Sequence, residues 1–168
     1  MADSSRQLRP SWRVSLADPA PDDVERVLRM LPGWFGIESS VVEYVEAART
    51  LPAYLAWPAD REESPSGVLL AVRHYPWSAE IYLMAVDPSW HRSGAGRALV
   101  TALETDLIAD GVKYLQVKTM GPARPDAGYE RTRRFYAGIG FRPLEEIHGF
   151  WGELPCLIMI KSLSGQSA

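Results

Sequence analysis

The chain has 168 residues, enough for one ordinary domain but short for two. Its 46% hydrophobic and 23% charged residues are the balance of a globular protein with a substantial core, and a formal net charge of −3, with both signs interspersed, argues against affinity built on neutralising phosphates. No run approaches the ~18–20 apolar residues of a membrane span, and the N-terminal Met1-Ala-Asp-Ser-Ser-Arg-Gln-Leu-Arg-Pro lacks the apolar centre of an export signal, so no membrane partner and a cytoplasmic location are expected.

The first ten residues and 164–168 read as frayed tails flanking a single domain over 11–163. Trp12 to Leu16 reads as an opening strand. Asp18-Pro-Ala-Pro-Asp-Asp23 then starts a helix through Val24, Val27 and Leu28, with proline and aspartate where helix N-termini favour them. A second helix is expected from Ser39 or Ser40 to about Thr50, because Glu43 follows Ser40 at capping-box spacing; Pro52 closes it. Three strand-like runs follow, Ala53 to Trp57, Gly67 to His74 and Ala79 to Val86, separated by turn-rich segments as in an antiparallel meander.

A long helix is expected from Ser93 to Asp110, where Leu99, Leu103 and Leu107 recur every four residues beside Ala95 and Ala102. Gly111 stands where a left-handed residue ends a helix. Lys113 to Lys118 reads as a strand, Glu130 to Gly138 as a helix, and Phe141 to Ile147 and Cys156 to Ser162 as the last strands. Cys156 is the only cysteine, which excludes an internal disulfide, and in its apolar run it reads as a buried thiol. The order βααβββαβαββ describes a mixed α/β domain: a largely antiparallel sheet with a late βαβ crossover.

The most informative segment runs from Ile81 to Val100, where a strand ends at Val86, turns at Asp87-Pro88 and enters a helix through Gly94-Ala-Gly96. Glycines there allow backbone angles barred to other residues and let a ligand approach the main chain. The unpaired amides of a helix's first turn, with the helix dipole, favour a phosphate group. Taken alone, Gly-x-Gly serves a tight connection equally well. A P-loop is excluded because no Gly-Lys-Ser/Thr follows, and the third glycine of a dinucleotide fingerprint is missing.

Val86-Asp-Pro-Ser-Trp-His-Arg-Ser-Gly-Ala-Gly96 resembles the acyl-CoA-binding signature of the GNAT N-acetyltransferase superfamily: Val-x-Pro, then Gln or Arg-x-x-Gly-x-Gly/Ala. His91 departs from the usual Gln or Arg. Downstream, Arg134-Phe-Tyr-Ala-Gly-Ile-Gly-Phe-Arg142 resembles the family's late helix, Phe/Leu-Tyr-x-x-x-Gly-Phe. Tyr129 stands where the family often has an asparagine that contacts the pantetheine arm. The resemblance implies acetyl-CoA as acyl donor, held at Ala85, Val86, His91, Arg92, Ser93, Gly94, Ala95, Gly96, Arg97 and Ala98. The amide of Val86 or of Ala85 would meet the thioester oxygen, and a bulge splaying this strand from the next would admit pantetheine like an added strand.

Amine acetylation needs a base for the amine, a donor for the developing oxyanion and a proton for the leaving thiolate. Glu80 lies six residues before Val86, where the histone-acetylating branch of the family has a glutamate in a similar Ala-Glu-Ile, and is the candidate base. Burial would raise its proton affinity; the plainer reading is a solvent-facing glutamate or an arginine's partner. Tyr136 matches the tyrosine of the family's Phe-Tyr pair and is the candidate acid, against a plainer role as a packing ring. His74, His91 and His148 have no ligand spacing, so no metal is expected. Trp34-Phe-Gly-Ile37, between the two early helices, is the favoured acceptor wall among the aromatics.

The expected function is therefore acetyl transfer to a primary amine, whether of a small molecule, a peptide N-terminus or a lysine. The alternatives are a non-catalytic acyl-CoA sensor and a transferase acting on charged tRNA, the latter disfavoured by the acidic balance. A homodimer is compatible with the family.

Overall fold

The computed structural model describes residues 11–17, 19–61 and 63–163; the two expected tails lie outside them. Seven strands form one sheet in the order β1-β2-β3-β4-β5-β7-β6. They are β1 (Trp12–Ala17), β2 (Ala53–Pro58), β3 (Gly67–Tyr75), β4 (Ser78–Val86), β5 (Tyr114–Met120), β6 (Arg142–Gly149) and β7 (Gly152–Ser162). Four helices, α1 (Pro21–Arg29), α2 (Glu38–Ala47), α3 (Ala95–Ala109) and α4 (Ala127–Gly138), complete the expected order. Every strand pair is antiparallel except β4 with β5, which α3 connects as a crossover.

Each sheet face carries its own core. Val24, Val27 and Leu28 of α1 and Val41 of α2 pack on Leu55, Val68, Leu70, Leu83 and Ala85. On the opposite face Leu99, Leu103 and Leu107 of α3 pack with Leu69, Ile81, Leu115, Val117 and Phe141. Leu99 and Leu103 lose essentially all solvent contact, and burying each contributes roughly 1.5–3 kcal/mol. Gly111, at φ +81°, ends α3 in the left-handed conformation expected of it.

Three boundaries differ from the sequence expectation. The Ser40–Glu43 capping box does not form: α2 starts at Glu38, after an extended Ile37 that makes no side-chain cap. Glu38 instead takes a two-pronged hydrogen bond from Arg29 at the end of α1, at 2.5 and 2.8 Å, and its negative charge suits a helix N-terminus. Helix α4 starts three residues before Glu130, because Asp126 accepts a hydrogen bond from the Tyr129 amide at 2.9 Å and caps it. Strand β7 starts four residues before Cys156, across a hairpin whose Gly149 and Gly152 have φ of +83° and +62°.

Strand β4 positions the candidate site. Its pairing with β3 slips between Leu70↔Leu83 and Ala71↔Ile81, leaving Tyr82 as one extra residue, a β-bulge. On the other side β4 pairs with β5 only from Ser78↔Tyr114 to Ile81↔Val117. Beyond that point β4 stays with β3 and β5 stays with β7, and the two diverge. A wedge-shaped opening therefore begins at the bulge, inside the sheet.

Candidate active site

The wedge leads to the turn that the sequence singled out. After Val86 the chain makes a short 3-10 turn, Pro88–Trp90, capped by Asp87 accepting from the Ser89 amide at 2.8 Å. Arg92 adopts φ +60° and Gly94 φ +100°, a region costly for side chains other than glycine. The first helical bond of α3 runs from the Ala98 amide to the Gly94 carbonyl at 2.9 Å. The amides of Ala95, Gly96 and Arg97 are thus left without an intrahelical acceptor, and Gly94 offers no side-chain cap.

Gly96 serves a different purpose from the one its motif suggests. A Cβ there would lie 3.1 Å from Phe135 Cζ, so its missing side chain admits the α4 ring beside α3. His91, the departure from the signature, closes the turn: its Nε2 donates to the Val86 carbonyl at 2.8 Å. Ser93 Oγ donates to the Trp90 carbonyl at 2.5 Å, and Trp12 Nε1 reaches across from β1 to the Ser93 carbonyl at 3.2 Å. Sequence spacing gave no sign of this Trp12 brace, because it joins residues 81 positions apart.

Strand alternation separates Ala85 from Val86. The Asp87 amide donates to Ser66, on the β3 side, at 2.8 Å. Successive main-chain groups of a strand point to opposite sides, so the Val86 and Met84 amides face the wedge and the Ala85 amide faces β3. On the β5 side, Arg133 Nη1 donates to the Met120 carbonyl at 2.7 Å. The neighbouring Thr119 hydroxyl is buried with no hydrogen-bond partner among the described residues.

Glu80 lies at the closed end of the wedge, opposite Gln116 in the β4–β5 register. It is 5% exposed, and three donors converge on one oxygen. His74 Nε2 lies 2.6 Å, Gln116 Nε2 2.9 Å and Lys118 Nζ 2.6 Å from Oε2. This corrects the expected direction of its titration. Burial alone pushes its proton affinity up and is the largest single influence, but the hydrogen bonds from Lys118, His74 and Gln116 together hold it below the ordinary carboxylate value. The plainer sequence readings of Glu80, a solvent-facing residue or an arginine's partner, do not hold. Gln116 and Lys118 were missed; alternation along β5 puts both on the Glu80 face, but only the register shows that they reach it.

Tyr136 lies on the other face of the sheet. It is buried in the cluster that contains Ile81 and Val117, edge-on to Phe135 and Phe141 with centroids 5.2 and 5.4 Å apart. Burial raises its hydroxyl's proton affinity well above the usual phenol value, so it stays protonated. No hydrogen bond joins it to Glu80 among the described residues. The two candidate catalytic groups therefore flank the wedge from opposite faces.

Aromatic side chains surround the Glu80 face. Tyr44 packs edge-on against Phe35 and Tyr82 at 5.8 and 5.7 Å, and burial, reinforced by the nearby Tyr82, Tyr129, Glu43 and Glu80, pushes its hydroxyl up to about 12. Lys118 Nζ lies 5.9 Å from the centre of the exposed Phe150 ring. Trp34 meets His91 at 5.9 Å and comes within 3.3 Å of where a Gly128 Cβ would stand. Among the described residues, no three His, Cys, Asp or Glu side chains gather as metal ligands, and no helix is long and apolar enough to cross a membrane.

Comparison with known proteins agrees with this architecture. The family model described as "Acetyltransferase (GNAT) family" matches residues 24–141, and the chain belongs to that family. No curated protein sequence matches it. A GNAT-family structure from Desulfovibrio desulfuricans superposes with a TM-score of 0.76 at 19% identity, covering 92% of this chain and 99% of the other. The ribosomal-protein-S18-alanine N-acetyltransferase of Escherichia coli gives 0.72 at 16% identity, over 94% and 99%. A Bacillus subtilis acetyltransferase in complex with CoA gives 0.68 at 19% identity, over 90% and 99%. At these identities the likeness is one of fold.

Proposed function

We propose that the protein transfers an acetyl group from acetyl-CoA to a primary amine, with Glu80 as base and Tyr136 as acid. The observation that carries this reading is the parting of β4 and β5 after Ile81↔Val117, on the strand that feeds the unpaired amides of α3. A pantetheine arm suits the wedge because it can hydrogen-bond the free Val86 and Met84 amides as an added strand would. The buried, unpartnered Thr119 hydroxyl offers a further donor there. The diphosphate belongs at the Ala95, Gly96 and Arg97 amides, with the backbone of His91, Arg92 and Ser93 shaping the turn and Ala98 closing the first helical bond.

In this reading the amine enters from the α1–α2 face, beside Glu80, and its lone pair attacks the thioester carbon. The Val86 amide stabilises the oxyanion. Glu80 Oε1, which carries none of the three internal hydrogen bonds, takes the proton that nitrogen loses. The C–S bond breaks, and the Tyr136 hydroxyl returns a proton to the thiolate from the opposite face.

Calorimetry with CoA, followed by a free-thiol assay over an amine panel, tests the reading. CoA binding with amine-dependent thiol release is expected. Folded protein that binds no CoA, or that binds it and acetylates no amine, overturns it.

A further inference from the structure

The arrangement around Glu80 bears on which amines can serve as acceptor, given the transferase reading above. A general base usually accepts a proton more readily when it is buried. Here burial is offset by a cation: Lys118 Nζ and His74 Nε2 both lie 2.6 Å from Oε2, and Gln116 Nε2 lies at 2.9 Å. Lys118 is itself held in place, 23% exposed, between Glu80 and the Phe150 ring. Around this group stand Tyr44 and Glu43 from α2, Tyr82 from β4 itself and Cys156 from β7. Among them, Lys118 is the fixed positive charge on the carboxylate.

A carboxylate so satisfied is a weak base. It can take a proton from nitrogen that has already attacked carbon, because such nitrogen is strongly acidic. It cannot strip an alkylammonium ion beforehand without a large penalty. We propose that the acceptor is an amine that reaches the site already neutral, an α-amino group rather than a lysine side chain, and that Lys118, seated on Glu80 Oε2, imposes that choice. An α-amino group loses its proton near pH 7.7–8.0 and a lysine side chain near pH 10.4, so their neutral fractions at pH 7.5 differ on the order of 100-fold. The step balances as above: nitrogen gains the acetyl carbon and gives one proton to Glu80, and sulfur gains one proton as the C–S bond breaks. Lys118 is a positioning residue, since it acts through Glu80.

Lysinamide and a short peptide with a free N-terminus and one internal lysine each carry both kinds of amine, so the two compete within one molecule. Wild-type protein with acetyl-CoA should favour the α-amine on the order of 100-fold at pH 7.5, narrowing to about fourfold near pH 10. Lys118→Met should lower the pH 7.5 ratio about tenfold and move the acid limb of kcat/KM up by about one pH unit, whereas Lys118→Arg, which keeps the charge, should restore both. Loss of packing alone would change neither the ratio nor the limb. Comparable acetylation of both amines by the wild type at pH 7.5 overturns the inference. So does an unchanged ratio and acid limb in Lys118→Met protein that still binds CoA, or turnover confined to alkylamines in a wider panel. Acetylation of no amine by CoA-binding protein defeats the transferase reading instead, and this inference with it.

Discussion

The Trp34 ring meets the His91 ring edge-on, with centroids 5.9 Å apart and planes at 85°. This contact ties the loop between α1 and α2 to the turn between β4 and α3, and the same indole lies against Gly128 at the start of α4. One side chain thus spans both lips of the wedge. Trp34→Ala should lower stability by about 2 kcal/mol, less than for a fully buried tryptophan. It should weaken CoA binding and raise the acceptor KM together. Calorimetry and steady-state kinetics on the variant check this, and an effect confined to stability would remove Trp34 from the site.

Glu80→Gln separates binding from chemistry. CoA affinity should stay within about threefold while kcat falls about 10²–10⁴-fold, the usual contribution of a positioned base. The same variant carries a stability signature. Because the folded carboxyl is held below its model value of 4.5, its contribution is present above that pH and is lost as pH falls through the lower folded value. The stability gap between wild type and Glu80→Gln should be widest near neutrality and shrink below about pH 4.5. Urea melts across pH 3–7 read it.

Tyr136→Phe removes a hydroxyl and keeps a ring that packs against Phe135 and Phe141. Stability should change by less than about 1 kcal/mol, since no hydrogen bond to the hydroxyl is lost among the described residues. Thiol release should slow by about tenfold or more. An unchanged rate would leave Tyr136 with packing as its whole role.

Thr119→Val replaces an unpartnered buried hydroxyl with an isosteric methyl. Without ligand this should stabilise the protein by about 1 kcal/mol, or raise Tm by roughly 2–4 °C for a chain of this size. CoA should then bind several-fold more weakly, because the hydroxyl's proposed partner is the pantetheine arm. Thermal melts with and without CoA show both effects.

Much of this was legible in the chain itself. The period-four leucines of α3 and the alternation of β5 follow from local periodicity, and Gly111 and Gly94 mark positions of positive φ that few other residues tolerate. The glycine turn and its helix were placed by motif. What escaped was set by distance in sequence. Lys118 and Gln116 reach Glu80 only because β4 and β5 share four residue pairs, and His74 only because β3 folds back beside β4. For the same reason burial alone misjudged the direction of Glu80's titration. Ser40 and Glu43 had the spacing of a cap, yet the Arg29–Glu38 pair moved the start of α2.

The four residue pairs from Ser78↔Tyr114 to Ile81↔Val117 are the only main-chain seam between two half-sheets, β1 to β4 and β5 to β7. The molecule is therefore built like tweezers, joined at one end and parted at the other. Glu80 and Gln116 sit in the joint itself. Any spreading of the tips moves Val86 and Met120 far more than it moves the carboxylate, so the jaws can flex around a long, thin guest while the base remains at the fulcrum.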